Sequence, residues 1–306
     1  METRKIGSLE VTVIGLGTNN FGLGMEAEAV PAVVDAAIEA GINFFDTADS
    51  YGASEARLGE ALGSRRDQVL IATKFGSPVR GEEGSGGAAP DYVRRALEAS
   101  LRRLGTDHID LYQLHRPDPS TPIADTLAVL DEAVTAGKVR EIGCSNFSEA
   151  QLREAEEAAG GARFVSVQNH YNLLNRDDEA KVLPLCEQLG IGHLPYFPLA
   201  SGLLTGKYRR GEPPAKGTRL ERWGQGMADS VLTEDNFDRV DALTAWAGDH
   251  GHGLLDLAFA YLLAQPAVSS VIAGATKVDQ VQANAAAGAW RLSESELAEV
   301  RAIVGA

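Results

Sequence analysis

The feature that most constrains this chain is a rhythm. Short apolar runs rich in Val, Ile and Phe alternate with longer Ala/Leu/Glu segments of helical period. The runs fall at 11–16, 42–45, 69–73, 109–114, 139–143, 164–167, 191–196 and 268–272, and are expected to be strands. Helical segments between them include 30–40, 91–104, 123–136, 151–159, 178–189 and 254–264. Gly41, Gly105, Gly137, Gly160 and Gly190 each follow such a segment, where a left-handed residue closes a helix. Runs that are apolar throughout are buried on both faces, as in a parallel sheet covered by helices. The rhythm therefore predicts an α/β fold: a closed (β/α)8 TIM barrel or an open doubly wound sheet.

Two stretches break the rhythm. Residues 209–230, rich in Gly, Pro and charge, are expected to be an extended loop inserted after the seventh strand, with additional helices near the C-terminus. Residues 76–90 form a second glycine-rich loop. The alternation resumes after each, so one domain over 1–306 is expected. The net charge of −15 disfavours nucleic acid and anionic membrane surfaces as partners. Cys144 and Cys186 are far apart and lack the spacing of zinc ligands, so neither a disulfide scaffold nor a metal site is expected. The segment Met1-Glu2-Thr3-Arg4-Lys5 has no apolar run behind it, and no window of 18 apolar residues occurs. A reduced, cytoplasmic protein is the expectation.

Familiar nucleotide motifs fail. Gly15-Leu16-Gly17 begins like a dinucleotide fingerprint, but Asn20 stands at the third glycine position. The stretch from Ser201 to Tyr208 begins like a phosphate-binding loop, yet Tyr208 replaces the magnesium-binding hydroxyl. His250-Gly251-His252 lacks a third ligand and reads as a turn.

The informative pattern is positional. After successive apolar runs come Thr18-Asn19-Asn20, Asp46, Lys74, His115, Ser145-Asn146, Gln168-Asn169, Tyr196 and Gly274-Ala275-Thr276-Lys277. Singly, each has an ordinary explanation as a cap, a snorkelling lysine or a buried histidine. Together they would converge on one face of a barrel, where active sites are built.

These residues also carry a resemblance. The pieces are Phe45-Asp46-Thr47-Ala48-Asp49-Ser50-Tyr51-Gly52, Ala72-Thr73-Lys74, Asp110-Leu111-Tyr112-Gln113-Leu114-His115, and Gly143-Cys144-Ser145-Asn146-Phe147. Gln168-Asn169-His170-Tyr171-Asn172 and the stretch from Gly202 to Tyr208 follow in order. The chain resembles the aldo-keto reductase family from its first strand to its last helix, which implies the (β/α)8 barrel. The resemblance implies a catalytic set of Asp46, Tyr51, Lys74 and His115. The chemistry agrees: carbonyl reduction leaves negative charge on oxygen and needs a proton donor. Tyr51 is a weak acid, and a nearby Lys74 is expected to lower its pKa. Asp46 would be the counter-charge of Lys74, and His115 would orient the carbonyl.

None of these groups delivers a hydride, so a cofactor is needed. By resemblance it is NADP(H), with NAD as the alternative. Thr18, Asn19 and Asp46 are among its expected contacts. Ser145, Asn146 and Gln168 would bond the carboxamide and Tyr196 would stack on the nicotinamide. Pro198, Leu199, Ser201, Gly202, Leu203 and Lys207 would wrap the pyrophosphate. Gly274, Thr276 and Lys277 would meet the 2′-phosphate, with Gln280 and Asn284 towards the adenine. The sequence departs from the family here, since many members carry Arg where Gln280 stands. The substrate would be a small aldehyde, ketone or sugar-like molecule against Phe21, Phe75, Arg116 and Trp223. Some barrels of this kind resemble regulatory subunits that sense the nucleotide with slow turnover. An isomerase or lyase using Lys74 as a Schiff-base nucleophile is a third alternative. The chain is expected to work as a monomer or homo-oligomer.

Overall fold

The structure is a computed structural model that describes residues 1–305. It opens with an antiparallel hairpin, β1 (Thr3–Ile6) and β2 (Leu9–Thr12). The turn is Gly7-Ser8, and Gly7 sits at φ +55°, a conformation that only glycine adopts without strain. Ile6, Leu9 and Val11 are buried while Thr3, Lys5 and Glu10 face solvent, the period of two of a half-covered strand. This corrects the single strand expected at 11–16, which the structure divides at Val13.

Eight parallel strands follow: β3 (Ile14–Gly17), β4 (Phe44–Asp46), β5 (Leu70–Phe75), β6 (Ile109–Leu114), β7 (Val139–Ser145), β8 (Phe164–His170), β9 (Gly192–Tyr196) and β10 (Val271–Gly274). Their order is β10-β3-β4-β5-β6-β7-β8-β9. The ends of that row meet through His193 N to Ala267 O at 2.8 Å and Ser269 N to His193 O at 3.0 Å. The sheet is thus an almost closed (β/α)8 barrel.

Helices α1 (Asn19–Leu23) and α2 (Val30–Glu39) follow β3, and α3 (Ser54–Leu62) follows β4. Next come α4 (Pro90–Leu104), α5 (Ile123–Thr135), α6 (Glu149–Ala158) and α7 (Val182–Leu189). Between β9 and β10 lie α8 (Arg219–Trp223), α9 (Gln225–Val231), α10 (Glu234–Asp249) and α11 (Leu254–Leu263). The chain ends with α12 (Val278–Ala287) and α13 (Glu294–Val304). The insertion at 209–230 is therefore partly helical rather than a plain loop. Helix α4 shows why such segments form. Val93, Ala96, Leu97, Ser100, Leu101 and Leu104 make one buried stripe at helical spacing, and Gly105 ends it in the left-handed conformation.

Alternation along the strands divides the apolar side chains into two cores. Outward-facing residues pack under the helices in the larger one. Inside the barrel, Phe44, Ala72, Leu111, Leu194 and Ile272 form the smaller one, closed from below by Ile6, Leu9 and Val11 of the hairpin. Two residues further along the same inward rows come Asp46, Lys74, Gln113, Tyr196 and Gly274. Apolar filling below thus places polar groups above, at the carboxyl ends of the strands.

Candidate active site

Lys74 is wholly buried, which an ammonium tolerates only when paired. Its Nζ donates to Asp46 Oδ2 at 2.6 Å and to Thr47 O at 2.8 Å. The second oxygen of Asp46 accepts from Gln168 Nε2 at 2.8 Å and Gln113 Nε2 at 3.3 Å. Burial works against the charge of Lys74, but Asp46 and Tyr51 outweigh it and hold its pKa above the ordinary lysine value.

Tyr51 reaches this pair from the loop after β4, with its ring centroid 5.2 Å from Lys74 Nζ. The His115 ring stands edge-on to it, 5.6 Å between centroids at 82°. His115 is fixed through its backbone, its N donating to Phe75 O at 2.7 Å and its O accepting from Asn146 Nδ2 at 2.9 Å. Ser50 Oγ lies 3.4 Å from His115 Nδ1. Burial, with Lys74 and Arg116 adding to it, pushes the pKa of His115 down to about 3, so the ring is neutral near pH 7. Tyr51 differs from the expectation. Burial raises its pKa above that of a free phenol despite the opposing pull of Lys74. The ammonium favours a phenolate without making one the resting state.

The close approach that holds the Tyr51 loop escaped sequence reasoning. A Cβ on Gly22 in α1 would fall inside the van der Waals surface of the Tyr51 carbonyl oxygen. Only glycine fits there.

Asp46, Ser50, Tyr51 and His115 line a cavity of about 950 Å³ that runs from His115 to the start of α12. That is towards the upper end of the roughly 300–1,000 Å³ usual for ligand pockets, and larger than a small carbonyl compound requires. Asn19, Ser145, Asn146, Gln168, Tyr196, Pro198, Leu199, Ser201, Gly202, Lys207, Gly274, Thr276, Lys277, Gln280 and Asn284 line it, as do Arg116 and Trp223. Ser145 Oγ donates to Gln168 O at 2.6 Å, and Tyr196 OH donates to Asn146 Oδ1 at 2.8 Å. Behind Tyr196 lies His170, nearly parallel at 12° with 5.5 Å between centroids. Gln280 turns back, and its Oε1 accepts from Thr276 N at 2.8 Å. Phe197, Ala200 and Ser201 have positive φ, a strained bend that carries the chain around the cavity rim. A Cβ on Gly202 would collide with the Lys207 side chain, so glycine there lets that ammonium cross the loop.

Four expected contacts lie elsewhere. Phe21 and Phe75 are fully buried in the outer core rather than on the substrate wall. Lys74 points into the barrel, so alternation sends Phe75 outward, where it stacks on Tyr112 at 4.7 Å between centroids. The Thr18 hydroxyl is engaged by Asp46 O at 3.0 Å and Ser54 Oγ at 2.9 Å. The Leu203 side chain is in the core.

The insertion adds residues that the sequence did not single out. Lys216, Arg219 and Arg222 line the cavity beside Lys207. The Arg219 guanidinium lies over the Phe197 ring at 5.1 Å and the Trp223 ring at 5.3 Å. Burial, then Arg222, lowers its pKa. Lys207 is likewise lowered by burial and by both arginines. Among the described residues no carboxylate pairs with any of these cations.

The Aldo/keto reductase family profile matches residues 13–304. This chain belongs to the aldo/keto reductase family. The chain is 33% identical over 309 residues to L-glyceraldehyde 3-phosphate reductase of Escherichia coli O157:H7, covering 95% of this chain and 88% of that protein. It is also 34% identical over 297 residues to a probable voltage-gated potassium channel subunit beta of Oryza sativa subsp. japonica, covering 93% and 90%. The glycerol dehydrogenase of Gluconobacter oxydans superposes with a TM-score of 0.87 at 31% identity, over 99% of this chain and 94% of that one. As an aldo/keto reductase the chain is an oxidoreductase. Among the described residues no group of three or more His, Cys, Asp or Glu side chains is placed to hold a metal ion. His250 and His252 stack on Trp246 and Trp290, with 3.9 Å between centroids in both pairs. Among the described residues no helix is long and apolar enough to cross a membrane.

Proposed function

We propose that this aldo/keto reductase reduces aldehydes or ketones, and oxidises the corresponding alcohols, with NADP(H) as hydride carrier and Tyr51 as general acid and base. The observation that carries the reading is the wholly buried Lys74, 2.6 Å from Asp46 and lying against Tyr51 where His115 opens into the cavity. Tyr51 donates its proton to the carbonyl oxygen as negative charge develops there. Lys74 stabilises the phenolate left behind, and Asp46 keeps Lys74 charged and in place. Neutral His115 hydrogen-bonds the carbonyl and sets its approach to Tyr51. When bound, the nicotinamide cofactor supplies the hydride that none of these side chains can deliver.

The donor set fits such a cofactor. Lys207, Lys216, Arg219, Arg222 and Lys277 are cations along one cavity, two of them depressed by burial and mutual repulsion, as an anion-binding wall requires. This array supplies positive charge that Lys277 alone lacks for the phosphates of a dinucleotide. Ser145, Asn146 and Gln168 would hold the carboxamide, and Tyr196 the nicotinamide face. The relatives' names point to small hydroxylated carbonyl compounds. Ser50 beside His115, and Arg116 next in the chain, offer hydrogen bonds to such hydroxyls. The Schiff-base alternative loses support, because Lys74 is paired and held protonated, the non-nucleophilic form.

A second reading, a nucleotide-sensing subunit with slow turnover, is favoured by the likeness to the channel β-subunit. One experiment separates the two: steady-state oxidation of NADPH, then NADH, with a panel of short aldehydes, ketones and sugars. The expected result is catalytic consumption with at least one hydroxylated aldehyde, faster with NADPH. Tight cofactor binding without consumption on any member would support the sensor instead.

A further inference from the structure

Behind the Tyr51 loop lies a second cluster of ionisable groups, outside the cavity and unused by the proposed chemistry. Asp49 is 3% exposed and does not line the cavity. Its Oδ1 has no hydrogen-bond partner among the described residues. Its Oδ2 has only the Tyr92 hydroxyl, at 3.4 Å. From α3 comes Glu55, 1% exposed, which accepts from Thr73 Oγ1 at 2.6 Å and from Arg103 Nε at 2.6 Å. From α4 come Tyr92 and Arg103, and from β6 comes Tyr112, whose buried hydroxyl also lacks a partner. Glu82 in the preceding loop acts on Tyr92 and Arg103 from a distance.

The charges do not balance. Two buried carboxylates face one guanidinium, and the bonds of that guanidinium go to Glu55 and Ser100 rather than Asp49. An ionised Asp49 would be a desolvated charge supported only by the long Tyr92 bond and the Ser50 backbone N–H, whereas the acid form has an O–H to donate. Burial first, then Glu55, raises its pKa to about 7 against the opposing pull of Arg103, the Ser50 backbone N–H and the Tyr92 hydroxyl, so the two forms exchange near neutrality.

The position of Asp49 gives that exchange a consequence. Its backbone N donates to Lys74 O at 3.0 Å, tying it to the strand that carries the buried ammonium. The next residue, Ser50, touches His115, and the one after is Tyr51. We propose that Asp49 is a proton-linked positioning residue, whose gain or loss of a proton beneath the loop sets where Tyr51 and His115 stand relative to Lys74. On ionisation the O–H bond of the Asp49 carboxyl breaks and the proton passes to bulk water on the side where Tyr92 and Arg103 are partly exposed. The new carboxylate moves towards Arg103, and the loop follows it.

The test uses the full chain labelled with 13Cζ-tyrosine, the Tyr51 resonance being identified by its loss in Tyr51→Phe. In the wild type that resonance shifts with a midpoint near pH 7. The shift disappears in Asp49→Asn, and in Glu55→Gln its midpoint moves to lower pH, because a like charge has gone. A Tyr51 shift unchanged in Asp49→Asn, or absent from the wild type, overturns the proposal. Should Asp49→Asn fail to fold, an unmoved midpoint in Glu55→Gln overturns it equally. A second arm rests on the proposed carbonyl reduction: reductive kcat/KM falls as pH rises through about 7 in the wild type and not in Asp49→Asn. If neither protein turns over any carbonyl, that reaction reading fails while the resonance titration still decides the role of Asp49.

Discussion

Gly22 shows how one residue far from any reacting atom can control the site. Its α-carbon is where α1 touches the backbone of the Tyr51 loop. Gly22→Ala must push that loop away, and a displacement near 1 Å can lower a rate by about a hundredfold. We expect kcat to fall by roughly that factor while the Kd for NADPH stays near its wild-type value, as a fluorescence titration would read. Equal kcat in both proteins would show that the loop relaxes freely. Asp49 makes a second expectation, about stability. Its pKa is near 7 when folded and about 3.8 when unfolded, so the folded chain binds the proton more tightly. The contribution of Asp49 to stability therefore declines as pH rises from about 4 to 7. Asp49→Asn removes that decline, raising Tm relative to wild type at pH 8 but not at pH 4; an equal difference at both pH values would refute the shift. Of these residues, Asp46, Lys74 and His115 were legible because each polar type directly follows an apolar run. Gly22 and Asp49 were not, since a close approach and an orphaned carboxyl exist only once distant segments meet.

Among the elements, the hairpin and the insertion taught the most. The charged start of the chain hid β1, and the apolar stretch at 11–16 ran two strands together, because composition reveals neither the reversal at Gly7 nor the break at Val13. Leu9→Ala empties a fully buried position in the floor of the barrel. It is expected to lower stability by about 2–5 kcal/mol in urea unfolding, with cofactor affinity unchanged. A coupled loss of affinity would mean that the floor shapes the cavity above it. The insertion read as loop because glycine, proline and charge dominate it, yet α8 carries Arg219 to the cavity between Phe197 and Trp223. Arg219→Ala should weaken NADPH binding by about tenfold or more, as loss of a charge-assisted hydrogen bond does. Unchanged Kd in isothermal titration would remove Arg219 from the phosphate wall.

Across the whole molecule, a net charge of −15 coexists with a cavity wall of unpaired cations. The surplus of carboxylates keeps anions off most of the surface, while the cavity draws them to one place. The barrel was legible in the sequence because eight apolar runs and their helices recur at βα spacing. Its closure was fixed by backbone bonds between β9 and the segment before β10 that no side-chain pattern records. The aromatic substrate wall was misread at Phe21 and Phe75 because both were taken as loop residues, whereas α1 buries Phe21 and alternation along β5 turns Phe75 outward. The most direct measurement is a single turnover of saturating NADPH with an accepted aldehyde, comparing wild type with Tyr51→Phe. With Tyr51 as proton donor, the rate falls by about 10²–10⁴-fold while NADPH binds as before. A variant that oxidises NADPH at close to the wild-type rate would contradict the assignment of Tyr51.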